Sequence, residues 1–108
     1  MARILAVAPD LMFASRIEAT LGAAGHSVEL VTNVAEAADL ETAELFVVDL
    51  DREPADGVVG LGIPVLGFYA HLNTETREAA DAAGVDLVVP RSRMAREMTQ
   101  LVERLVAT

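Results

Sequence analysis

Short apolar runs that alternate with helix-like segments constrain the fold of this chain more than any other feature. The runs are residues 4–8, 45–48, 65–69 and 87–89. Because each run is apolar on both faces, it favours a central strand of a parallel sheet that helices cover on both sides. A fifth segment, residues 27–31, alternates polar and apolar residues and therefore favours an edge strand with one face nearer water.

Helix signals fill the segments between these strands. The predicted helices are residues 11–24, 34–40, 75–83 and 93–106. Asp10 is predicted as the N-cap of the first helix, and Gly25 and Gly84 as the glycines that end the first and third. The last helix carries an apolar stripe that indicates core packing, formed by Met94, Met98, Leu101, Val102 and Leu105.

The order of these segments predicts the topology. Strands alternate with helices, except for a loop between the third and fourth strands, and such alternation predicts a parallel sheet with right-handed crossovers. Five strands in 108 residues predict a three-layer, flavodoxin-like α/β fold with strand order 2-1-3-4-5. This order places the alternating strand at a sheet edge, as its pattern requires. The length indicates one domain over residues 1–108.

Composition excludes several classes of chemistry and partner. The chain has no cysteine and no lysine, which excludes disulfides, thiolate metal sites, cysteine nucleophiles and lysine Schiff bases. A net charge of −9 repels phosphate, so we expect no nucleic-acid partner. The longest uncharged run, residues 57–70, is too short to span a membrane, and the first residues lack the pattern of a signal peptide. We therefore expect a cytoplasmic protein without membrane contact.

Polar side chains follow the strands at the edge of the sheet where such folds bind ligands. They are Asp10 after the first strand, Asp49 and Asp51 after the third, Tyr69 and His71 after the fourth, and Arg91 after the fifth. This set is a candidate pocket for a small anion, because arginine and tyrosine can hold one. No nucleophile–base pair and no metal-ligand spacing is readable, so we expect no enzyme activity, no metal and no cofactor.

Several motifs, in order and spacing, resemble the receiver domains of two-component response regulators. The motifs are RILAV at 3–7, LFVVDL at 45–50 with DG at 56–57, IPVL at 63–66 and AGVD at 83–86. The resemblance covers residues 3–105 and implies the receiver fold. It places Asp49 at the position of the aspartate that accepts a phosphoryl group in that family.

The remaining positions of the phosphorylation site depart from the family pattern. The acidic pair that helps hold Mg²⁺ falls on Ala8 and Pro9, the serine or threonine position on Tyr69, and the lysine position on Arg91. Mg²⁺ demands near-octahedral oxygen coordination, which this set supplies poorly. The resemblance therefore implies a stand-alone pseudo-receiver, a signalling and protein-interaction module whose Asp49 is not phosphorylated. An unconventional phosphoacceptor using Asp49 and a binder of small anions are the alternatives.

The segment after the third strand is unusually short. Only five residues separate Gly57 from Ile63, so we expect the helix three of the receiver fold to be shortened or missing. A lost helix leaves apolar sheet surface uncovered, and exposed apolar patches mark partner sites. The residues predicted on this interaction surface are Val58, Val59 and Leu61.

Arginines cluster at the start of the last predicted helix. Arg91 has a planar guanidinium that matches a carboxylate, so we hypothesise a forked ion pair with Asp49 or Asp51. Two solvated charges that contribute almost nothing are the alternative. Arg93 and Arg96 lie on a face through which receivers commonly dimerise. The resemblance therefore implies a protein partner or a homodimer at this face, with these arginines pairing with acids of the other molecule.

Overall fold

The computed structural model describes residues 2–33, 42–51, 62–70, 78, 79, 82 and 84–106. Its strands are β1 (Arg3–Val7), β2 (Ser27–Val31), β3 (Leu45–Asp49), β4 (Val65–Tyr69) and β5 (Leu87–Pro90). They form one five-stranded sheet in the order β2-β1-β3-β4-β5, and each neighbouring pair is parallel. The predicted flavodoxin-like topology is confirmed, including the edge position of the alternating strand.

The first helix, α1 (Leu11–Ala23), begins at the predicted residue and ends one residue before the predicted end at 24. Asp10 is its N-cap, and its Oδ1 accepts the backbone N–H of Met12 at 3.0 Å and of Phe13 at 3.3 Å. Gly25 follows the helix with φ 94°, a left-handed conformation that glycine adopts without steric cost. The N–H groups at this end bond back into the last turn, so the chain leaves α1 directly toward β2.

The apolar core lies on both faces of the sheet, because neighbouring residues of each strand point to opposite sides. All five residues of β3 and of β4 are buried, as expected for central parallel strands. One apolar cluster joins the sheet to the two described helices through side chains that include Ile4, Ala6, Ile17, Leu66 and Leu101. The cluster on the opposite face includes Leu5, Val7, Phe46, Val48 and Val65.

The second described helix, α2 (Arg91–Val106), begins two residues earlier than the predicted helix at residue 93. The apolar stripe is confirmed, with Met94, Met98, Leu101 and Val102 buried. The helix is not continuous, because Glu97 has φ −120° and ψ 20°, outside the helical region. This kink divides α2 into residues 91–96 and residues 98–106.

Some sequence predictions fall outside the described residues. They are the helix over 34–40, the shortened connection in place of helix three with Val58, Val59 and Leu61, and His71. Within the predicted helix over 75–83, the described residues Glu78, Ala79 and Ala82 are helical. Among the described parts of the chain, no helix combines the length and the apolar character that crossing a membrane requires.

Candidate functional site

The carboxyl ends of the strands bring the predicted acidic residues to one edge of the sheet. Asp49 is the last residue of β3, lies opposite Phe68 of β4 and is only 4% exposed. Its Oδ1 accepts the backbone N–H of Asp51 at 3.0 Å. A buried carboxylate needs such donors, because burial without a partner is costly. The loop that carries the two acids thus supplies a donor of its own to Asp49.

Contacts with β4 hold the segment from Asp49 to Asp51 in place. The N–H of Leu50 donates to the carbonyl oxygen of Phe68 at 2.9 Å, and the N–H of Ala70 donates to Oδ2 of Asp51 at 2.5 Å. The Leu50 side chain lies directly over Gly67, where an added Cβ would be 2.6 Å from Leu50 Cδ1. Both acids therefore bond to main-chain donors without a ligand.

Arg91 binds a different carboxylate from the one predicted. Its Nη2 lies 2.6 Å from Oδ2 of Asp10, and its Cζ lies 4.3 Å from the centroid of the Phe13 ring. We call Asp10, Phe13 and Arg91 the Arg91 clamp. It ties the start of α2 to the first turn of α1 through an ion pair and a cation–π contact.

The hypothesis that Arg91 pairs with Asp49 or Asp51 is therefore wrong. Asp10 uses Oδ1 to cap α1, which leaves Oδ2 free to receive the guanidinium. Phe13 follows three residues later, so its ring lies one helical turn on and supports the same guanidinium. The sequence places Asp10 in the pocket and Phe13 on the core face, but it does not show that the two converge on one arginine.

The Arg91 clamp sets the ionisation of Asp10. The hydrogen bond from Arg91 lowers the pKa of this carboxyl below its ordinary value of 3.8, and the N–H groups of Phe13 and Met12 act in the same direction. A lowered pKa in the folded state means that the unfolded chain binds the proton more readily. The stabilisation is therefore complete above the ordinary pKa, and it is lost as the pH falls through the lower, folded-state pKa.

We expect Asp10→Asn to lower the melting temperature by a few degrees near neutral pH and to change it little in strong acid. Asparagine is an equally good N-cap, so this variant removes the ion pair and keeps the cap. Circular dichroism, used to monitor thermal unfolding from neutral pH to below 3.8, gives the difference in melting temperature between the two proteins. High salt should shrink it, because the side chains of Arg91 and Asp10 are 31% and 39% exposed. A difference that is constant across this pH range contradicts the assignment.

The described residues do not fit the Mg²⁺ that the resemblance implies. Ala8 has no side-chain oxygen and Pro9 offers only its carbonyl, while Asp10 is bonded to α1 and Arg91. Asp49 and Asp51 each give an oxygen to a main-chain N–H. Within the described ranges, no three acidic or histidine side chains are grouped to hold a metal ion. Near-octahedral coordination therefore has too few donors here.

The remaining predicted residues have less specific surroundings. Tyr69 is buried at the end of β4, opposite Pro90 of β5. Arg93 and Arg96, the arginines of the predicted interface, both pair with Glu97 inside α2, with Arg93 Nε at 3.4 Å and Arg96 Nη2 at 3.7 Å. The predicted ion pairs with a partner molecule therefore compete with a contact inside the helix.

Sequence reasoning missed the apolar surface beside the Arg91 clamp. Leu11 and Met12, on the first turn of α1, are 74% and 85% exposed. They break the amphipathic pattern of the helix, in which Phe13 and Ile17 are buried. A helical wheel shows this signal, since two large apolar residues precede the first buried position.

Comparison with known proteins supports the fold. No protein-family model matches the sequence, and no curated protein matches it significantly. The solved structures similar to it include the non-phosphorylated receiver domain of HemR from Leptospira biflexa, with a TM-score of 0.85 and 22% identity over 100% of this chain and 96% of that one.

Two further solved structures show the same likeness. A CheY-like receiver domain protein from Methanospirillum hungatei has a TM-score of 0.85 at 17% identity, over 99% of this chain and 94% of that one. An orphan response regulator of H. pylori has a TM-score of 0.80 at 16% identity, over 97% and 96%. The chain thus has the fold of response-regulator receiver domains over essentially its whole length.

Proposed function

We propose that this chain is a receiver-like signalling and protein-interaction module that works without phosphorylation of an aspartate. The observation that carries the proposal is the Arg91 clamp. Phosphoryl transfer needs cations placed where negative charge develops. The one cation that the receiver pattern supplies from the protein falls on Arg91, and that guanidinium is bound to Asp10 and stacked on Phe13.

The surroundings of Asp49 support the same proposal. A metal ion shared with the attacking carboxylate normally supplies the second positive charge. In this chain Ala8 and Pro9 take the places of the acidic pair that would help to hold it. Asp49 is also buried and already bonded to the N–H of Asp51. The arrangement favours a fixed structural carboxylate over a nucleophile.

Binding of a small anion, the second candidate, has less support. Its main attractive group is Arg91, whose charge Asp10 already compensates at 2.6 Å. An incoming anion has to displace this carboxylate and also face Asp49 and Asp51 at the same edge. Net repulsion from three acids opposes this binding. We therefore assign the chain a role as a binding module and no enzyme activity.

The proposed partner is another protein or a second copy of this chain. Leu11 and Met12 support this part of the proposal, because large apolar side chains at such exposure favour burial against another surface. Arg96 is also exposed, although Glu97 engages it weakly at 3.7 Å. Val58, Val59 and Leu61 stay a predicted part of the interaction surface.

Acetyl phosphate with Mg²⁺ tests the proposal directly. Intact mass spectrometry should show no added phosphoryl group on this protein, under conditions that label a conventional receiver in the same reaction. A second arm uses the variant Ala8→Asp, Pro9→Asp, Arg91→Lys, in which labelling at Asp49 would assign the loss of reactivity to these positions. A phosphoryl group gained by the unmodified chain and absent in Asp49→Asn contradicts the proposal.

A further inference from the structure

The two segments of α2 are anchored differently. Residues 98–106 are held by three buried apolar side chains, Met98, Leu101 and Val102, and by half-buried Leu105 and Val106. Residues 91–96 contribute one fully buried side chain, Met94. Among the described residues, the other attachments of this segment are the Arg91 clamp and the partly buried Ala95. The segment that begins the helix is therefore the more weakly held.

The kink at Glu97 marks the boundary between these segments. With φ −120° and ψ 20°, Glu97 interrupts the regular geometry that carries N–H to carbonyl bonds along a helix. A continuous helix transmits a displacement of its first turn to the rest, whereas a break confines the displacement to one side. Glu97 pairs with Arg93 and Arg96 of the first segment, through contacts of 3.4 and 3.7 Å. Both are long for charged hydrogen bonds.

The Arg91 clamp is suited to open and close. Its ion pair is partly exposed, at 31% for Arg91 and 39% for Asp10, so water and salt can replace it at little cost. The guanidinium at the same time lies over the ring of Phe13, whose centroid is 5.0 Å from that of the buried Phe68 ring, with the two rings tilted by 48°. The closed state is thus well defined, and the open state exposes one fully buried side chain of the segment, Met94.

We propose that residues 91–96 open as a unit about Glu97, and that the Arg91 clamp controls this opening. The opening withdraws Met94 from the core and presents it beside the exposed Leu11 and Met12. This goes beyond the proposed function, because it names the element that moves. It holds whether or not Asp49 accepts a phosphoryl group.

Hydrogen exchange of single amides, measured by NMR, tests the opening. The informative amides are those of Ala95 and Arg96, which can donate within the first segment, whereas the first four N–H groups of a helix have no such partner. Leu101 and Val102 report on the second segment. In the unmodified protein we expect Ala95 and Arg96 to exchange faster, as in a sub-global opening.

Arg91→Gln should accelerate exchange at Ala95 and Arg96 on the order of tenfold, because it removes both the ion pair and the cation–π contact. Exchange at Leu101 and Val102 should stay within about twofold, as a local opening requires. Arg104→Gln is the matched control, since Arg104 is in the last turn of the same helix beyond the kink. It should leave the first segment unchanged.

Two results would overturn this inference. One is equal acceleration at all four amides in Arg91→Gln, which would mean that α2 opens as a single helix or that the whole fold is destabilised. The other is unchanged exchange at Ala95 and Arg96. Asp10→Asn, which keeps the N-cap, repeats the test from the other side of the ion pair. A negative result here is distinct from failure of the proposed function, because that function is tested by intact mass spectrometry for an added phosphoryl group.

Discussion

Replacing Phe68 with alanine is expected to lower the free energy of unfolding by about 3–5 kcal/mol. Phe68 is among the largest fully buried side chains of the described residues, and its ring centroid is 5.0 Å from that of Phe13. The substitution removes buried apolar area from β4, leaves a cavity, and takes away the aromatic ring that packs behind Phe13 of the Arg91 clamp. Denaturant unfolding measures the loss.

Phe68→Leu is the control for this prediction. Leucine keeps the apolar character and much of the volume, so we expect a clearly smaller loss than for alanine. The loss in Phe68→Ala is a large part of the total stability of a small domain, roughly 5–15 kcal/mol. If Phe68→Ala is too unstable to measure, unfolding of both variants is compared in the same concentration of a stabilising osmolyte. Equal losses in the two variants would mean that the ring does not fill the core in the way described.

Gly67→Ala is expected to destabilise the protein by about 1–3 kcal/mol through overpacking. A Cβ at this position lies 2.6 Å from Leu50 Cδ1 and 3.0 Å from its Cγ, distances that force the leucine side chain to move. Leu50 is flanked by Asp49 and Asp51, so its movement disturbs the bond between Asp51 and Ala70. Denaturant unfolding measures the effect.

A double-mutant cycle makes the Gly67 prediction specific. In the background Leu50→Ala the obstructing side chain is gone, so Gly67→Ala should cost much less than it does alone. Gly22→Ala is the control, because the same exchange of glycine for alanine is expected to raise stability at this position. Gly22 is helical and an added Cβ meets nothing within 4 Å, so alanine should stabilise α1, by up to about 1 kcal/mol. Strictly additive effects at residues 50 and 67 would contradict the packing described.

The sheet was predictable because its determinants are local patterns. Runs that are apolar on both faces identify the central strands, and the alternation of Ser27–Val31 identifies an edge. Asp10 and Gly25 mark the ends of α1 because capping depends on residue type at one position. The topology then follows from the order of elements, since parallel strands require crossovers of a fixed hand.

The charge pairing at the strand ends was not predictable in the same way. The fold brings Asp10, Asp49 and Asp51 to one edge, and all three are possible partners for Arg91. The outcome depends on which oxygen atoms main-chain donors already occupy and on where the Phe13 ring lies. These are features of three-dimensional geometry that spacing along the chain does not contain.

Two other features were hidden from the sequence for a similar reason. Gly67 lies inside an apolar run, and its role depends on Leu50, which precedes it by seventeen positions and reaches it across the sheet. The kink at Glu97 interrupts a stripe whose apolar periodicity is unbroken. Neither proline nor glycine marks it, and the structure offers no single cause for it.

The Arg91 clamp also bears on how this chain can change over generations. Lysine at position 91 keeps the positive charge, but it lacks the planar group that stacks on Phe13 while bonding Asp10. A single substitution of lysine at this position is therefore expected to lower folding stability. Because positions 8 and 9 carry alanine and proline in place of acids, lysine at position 91 restores no phosphorylation chemistry by itself. Single substitutions toward the receiver pattern therefore lower stability before they bring any new chemistry.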